Sequence, residues 1–213
     1  FKWSITNSIN AIRSTDEYIG TIANIAETGG STLDHSNMTW GWGGSNFSIG
    51  GADADRATYN GGSYNYSGQQ RSGFLSGNFW WSFYIGHPTA VSYSPSTTPS
   101  DNQALQWAIG TTTSDISTEG HSIWGNNDSN YFGMMTNNVN NNMSVAFWKQ
   151  QTVQATVTGQ DGTSGFFTFV RDSSANTLKV YKTATAGAYN TGTLLHTFTG
   201  FSHTGDMKVV YAV

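Results

Sequence analysis

Glycosidic bond hydrolysis needs two carboxyl groups held about 5–10 Å apart across a sugar. The chain has only three glutamates, Glu17, Glu27 and Glu119. Glu119 stands near Asp115, but in a Gly/Ser/Thr stretch without the alternation that would place both groups on one strand face. Nucleophilic catalysis fares no better. Ser122 follows His121, yet no Gly-x-Ser-x-Gly surrounds any serine. There is no cysteine, which excludes thiol chemistry, zinc–thiolate sites and disulfides. The histidines are His35, His87, His121, His196 and His203, and none shows a close ligand spacing. His196 and His203 flank a turn at 197–201 and read as surface or turn residues. No catalytic residue is assigned, and the chain is expected not to be an enzyme.

Two segments could hold calcium, which takes six to eight hard oxygen ligands. Asp53-Ala54-Asp55 puts two carboxylates on one side of an extended segment, and 125–130 gathers Asn, Asp and Ser side chains. Neither matches an EF-hand loop, and Asx-rich turns form without an ion. No cofactor is expected; calcium stays the alternative to ordinary turn chemistry, and metal ligands are left open.

Binding chemistry is better represented. Tyr59-Asn60-Gly61-Gly62-Ser63-Tyr64-Asn65-Tyr66 interleaves rings with amides and hydroxyls, and Arg71 follows. Rings give rigid contact area, and amides supply paired donors and acceptors. Sugars suit that pairing, because their C–H faces stack on rings and their hydroxyls bond amides. Trp124, Asn126, Asn127, Asp128 and Tyr131 form a second patch. Asn137, Asn138, Asn140, Asn141 and Asn142 form a third, without an aromatic. Ligand contact is therefore expected through Tyr59, Asn60, Tyr64, Asn65, Tyr66, Arg71, Trp124, Asn126, Asn127, Asp128 and Tyr131. Trp81, Trp107 and Trp148 lie inside strand patterns and read as core.

Composition narrows the partners. Charged residues are 10% of the 213, against about 25% in an average soluble domain. Nine Lys and Arg are scattered without a run, and the net charge is −4. No electrostatic track for nucleic acid exists, and no apolar run approaches the roughly 20 residues of a membrane helix. Eight Trp, ten Tyr and twelve Phe can fill a large core. The first residue is Phe1 rather than Met, read as a processed or partial polypeptide.

These groups need elements to hold them. In 1–30, Ile5, Ile9, Ile12, Ile19, Ile22 and Ala26 recur three, four or seven apart, which predicts a helical lead-in or oligomerisation segment ended by Gly29-Gly30. From residue 38 the period is two. Strands are predicted at 38–42, 47–49, 79–85, 105–109, 131–135, 143–149, 152–157, 166–171, 178–181, 194–199 and 208–213. Long loops are expected at 50–77, 94–102, 110–130 and 136–142. The division is thus 1–30 and a β-sandwich domain over 31–213.

Ser76-Gly77-Asn78-Phe79-Trp80-Trp81-Ser82-Phe83-Tyr84-Ile85 resembles the early strand of SPRY-type domains, in which a Gly-led turn precedes an aromatic pair. Leu105-Gln106-Trp107-Ala108-Ile109-Gly110 is similar to the next strand of that family, 168–181 to a later hairpin, and 193–201 with 208–213 to its closing strands. The resemblance covers roughly 38–213. It implies an all-β, concanavalin-like antiparallel β-sandwich, or jelly roll, behind the short N-terminal helical lead-in. Relatives of that shape occur as lectins, glycanases, interaction modules and domains of phage tail fibres and capsids, with no shared catalytic residues. The function so implied is a non-enzymatic structural or adhesion module of the tail-fibre or capsid-decoration type. Its expected place is a virion surface or the extracellular space. Expected partners are other virion proteins, a second copy of the chain, and host-surface glycan. The alternative is the carbohydrate-binding domain of a secreted or cell-surface bacterial protein; a glycan hydrolase ranks below both.

Overall fold

The computed structural model describes residues 4–7, 10–21, 31–32, 38–40, 47–50, 56–59, 67–70, 75–85, 106–112, 131–139, 142–150, 152–158 and 165–212. Regular structure there is almost entirely extended. The strands are β1 (Ser4–Asn7), β2 (Asn10–Thr21), β3 (Ser31–Thr32), β4 (Met38–Trp40), β5 (Phe47–Gly50), β6 (Arg56–Tyr59), β7 (Ser67–Gln70) and β8 (Phe79–Ile85). They continue with β9 (Gln106–Thr111), β10 (Phe132–Val139), β11 (Asn142–Lys149), β12 (Thr152–Val157), β13 (Gly165–Asp172), β14 (Thr177–Thr183), β15 (Thr193–Thr199) and β16 (Met207–Ala212). Among the described residues one 3-10 turn spans Tyr189–Thr191.

Among the described residues the strands form two antiparallel sheets. One runs β15-β14-β13-β8-β2-β6-β5, with β1 and β3 also paired to β2; the other runs β12-β11-β10-β9-β16-β7-β4. Alternation on β8 explains how they pack. Phe79, Trp81 and Phe83 point inward and meet Phe167 and Phe169 of β13. The second sheet answers with Trp107, Ile109, Phe132, Met134, Val145, Phe147, Met207 and Val209. Phe83 stacks on Trp107 across the interface, with centroids 4.5 Å apart and planes 10° apart. Each such side chain contributes about 1.5–3 kcal/mol through burial, so a chain with few charges still has a strong interior.

The helical lead-in is corrected wherever 1–30 is described. Residues Asn10–Thr21 are a twelve-residue strand inside the first sheet. Glu17, Ile19 and Thr21 pair with Phe83, Trp81 and Phe79, while 13–16 pair with β6. Two forces defeat the 3–4–7 isoleucine spacing. Ile12, Thr15, Tyr18, Ile19 and Thr21 favour extended backbone, and Ser14 and Asp16 compete with helical hydrogen bonds. The edge of β8 then supplies a ladder that an isolated helix lacks.

Two further strands, β6 and β7, run through the expected 50–77 loop, and β10 with β11 extends through much of the expected 136–142 loop. Sequence spacing also misses a β-bulge. Val180 pairs with His196 and Tyr181 with Leu194, leaving Leu195 extra. Leu195 consequently turns into the core, and Leu194 is left 50% exposed. No helix among the described residues is long and apolar enough to cross a membrane.

Candidate functional site

The outward face of the first sheet carries a polar seam. Ser82 on β8, Thr168 on β13 and Thr183 on β14 form a hydroxyl chain, with Oγ–Oγ1 distances of 2.7 Å and 3.0 Å. All three are buried because 184–192 folds back over them. The Gly187 N–H donates to Ser82 Oγ at 2.9 Å. Only glycine serves there: φ is +70°, and a Cβ would sit 2.7 Å from the Trp80 ring. Three hydrogen bonds thus tie the seam together and anchor the overlying segment.

Around that anchor lie half-buried rings. Tyr181 and Tyr189 stand 6.1 Å apart at 45°, with exposed Asn190 and Thr191 beside Tyr189. Tyr84 and Phe166 meet edge to face at 5.1 Å. Burial, then the neighbouring Tyr181, pushes the Tyr189 phenol up, so it stays neutral. Rings, hydroxyls and an amide without a carboxylate suit a neutral, polyhydroxylated ligand. They can stack and hydrogen-bond.

Of the residues expected to bind, Tyr59 closes β6 and pairs in register with Arg13 and Phe47. Tyr131 is corrected: it is fully buried, its ring 5.3 Å from that of Trp148, so it packs against that ring instead of joining a surface patch. Asn60, Tyr64, Asn65, Tyr66, Arg71, Trp124, Asn126, Asn127 and Asp128 lie outside the described residues, as do Asp53, Asp55, Asp115 and Glu119. Asn137 and Asn138 are strand residues paired with Ser144 and Met143. Trp81, Trp107 and Trp148 are buried as expected, although Trp148 lies on the outward side of its sheet over Gly133.

Arg171 and the half-buried His196, both turned toward the other sheet, escaped the sequence reading. Arg171 is 1% exposed; its Nη2 donates to the His203 carbonyl, and its guanidinium lies 5.1 Å from the Phe201 ring centroid. Its Nε and Nη1 have no protein partner, and burial lowers its pKa. His196 is corrected from a surface or turn residue to an inter-sheet one. Its imidazole stacks on Phe147 at 5.0 Å and meets the Phe198 ring edge-on at 4.5 Å. Alternation from Phe198 could have flagged it, since residues two apart share a face.

Asp172 sits in a tight turn, where Oδ1 accepts from Ser174 Oγ, Ser174 N and Ala175 N. The Ser174 hydroxyl is the main cause that lowers its pKa. Among the described residues no three His, Asp or Glu groups gather to hold a metal. No protein-family model matches the chain, and no curated protein matches it.

Proposed function

We propose that this chain is a non-enzymatic structural and adhesion module, displayed on a virion as a tail-fibre or capsid-decoration component, that holds host-surface glycan on neutral aromatic surfaces. The observation that carries this reading is the outward face of the first sheet, where half-buried rings pair, Tyr181 with Tyr189 and Tyr84 with Phe166, beside the exposed Asn190 and Thr191. Such a surface recognises sugars through stacking and uncharged hydrogen bonds. A concanavalin-like jelly roll is the finer fold proposed. It is supported by β2 near the chain start and β16 near its end lying inside opposite sheets. Self-association and assembly with other virion proteins complete the proposal.

The test joins three measurements on the full chain. A glycan array should give binders of micromolar to millimolar Kd, weakened at least fivefold by Tyr189→Ala. Light scattering should show an oligomer, and mass spectrometry should find the bound glycan uncleaved. A monomer that binds glycan would favour the secreted carbohydrate-binding alternative. Cleaved glycan would overturn the proposal.

A further inference from the structure

His196 is half-buried between aromatic rings. It lies on β15, an edge of the first sheet, yet its ring reaches across to Phe147 of β11 in the second sheet. Phe198 closes a second side. Nε2 is buried and has no protein hydrogen-bond partner. A neutral imidazole tolerates this place as a flat aromatic ring with Nε2 unprotonated, whereas an imidazolium would hold a buried Nε2–H with no protein acceptor.

The facing elements offer no compensation among the described residues. On β11 the charged neighbour on the same face is Lys149, whose Nζ lies over the Phe132 ring. On β14 it is Lys182, whose Nζ lies over Phe167. Both are cations. The β12 strand, Thr152–Val157, carries no titratable side chain. Glu17 falls in the neighbouring register row on β2, four strands away, or about 19 Å at ordinary strand spacing.

We propose that His196 is a proton-operated latch between the sheets: neutral, it holds the β15 edge against β11, and protonated, it releases that edge. The bulge at Leu195 makes β15 a natural unit for opening, since pairing to β14 is already interrupted there. Burial lowers the imidazole pKa in the closed state. The open state therefore binds the proton more readily. Stability of the closed edge is fully present above the ordinary histidine value of about 6.5 and is lost as pH falls toward the lowered one. This inference does not depend on what the protein binds.

Native-state hydrogen exchange on the whole chain tests it, corrected for intrinsic exchange rates. The opening constant for amides of 193–199 should rise, approaching tenfold per pH unit, as pH falls from 6.5 toward 5.5. Amides of β8 should not follow. In His196→Gln and His196→Phe the rise should vanish, while His203→Gln should retain it. Equal pH dependence in wild type and His196→Gln would overturn the latch. NMR titration of the wild-type imidazole decides independently of variant folding: protonation below 6.5 supports it, and protonation at or above 6.5 sinks it.

Discussion

Arg171 and Gly133 show how much one side chain can decide. Arg171 follows Phe167 and Phe169 at spacing two, so alternation alone places it inward; what the sequence conceals is that its guanidinium stays there. Two of its nitrogens lack a protein partner, while one bond and one ring contact hold the rest. A hydrophobic replacement of similar length should therefore cost little. Arg171→Met is expected to change stability by less than about 1 kcal/mol, whereas Arg171→Ala should cost about 2–4 kcal/mol by leaving a void. Urea unfolding of both variants checks this, and a large loss for the methionine would show that the guanidinium is needed. Gly133 gives the opposite case. A Cβ there would overlap the Trp148 ring and lie 2.7 Å from the Trp107 carbonyl oxygen. Gly133→Ala should cost about 1–3 kcal/mol through overpacking, visible as a lower urea midpoint.

At the scale of elements, alternation carries most of the information, and bulges are where it fails. The pattern Phe79, Trp81, Phe83 identifies β8 and its inner face without ambiguity. The pair Leu194-Leu195 cannot be sorted that way, because the extra residue is fixed by how β15 registers on β14. Leu195→Ala is expected to cost about 2 kcal/mol or more, and Leu194→Ala about 0.5 kcal/mol or less; equal losses in thermal unfolding would contradict the register. The last strand of the second sheet, β12, has no charge and no proline in Thr-Val-Gln-Ala-Thr-Val, and Val153 is 47% exposed. Bare edges of that type invite pairing with other chains. Val153→Lys should lower the concentration dependence of light scattering while leaving the unfolding midpoint within about 0.5 kcal/mol of wild type.

For the whole molecule, the fate of the first thirty residues is the sharpest consequence. A docked helix could be removed at modest cost, but β2 lies between β8 and β6 in the sheet order. Deleting 1–30 should expose two strand edges and abolish cooperative thermal unfolding by circular dichroism; a truncated chain with a wild-type midpoint would contradict the pairing. The sequence by itself determined the all-β class, all eleven predicted strands and the aromatic core, because a two-residue period and ring-sized apolar side chains are local properties that any packed sheet must respect. It determined equally that charge is scarce and that thiols are absent. Only the tertiary structure decided that β2 is extended, that β6 and β7 run through a glycine-rich segment, that Tyr131 is buried against Trp148, and that His196 bridges the sheets. Those outcomes depend on which strand edge is free and which register a bulge imposes, and such long-range pairing leaves no periodic mark on the residues that obey it.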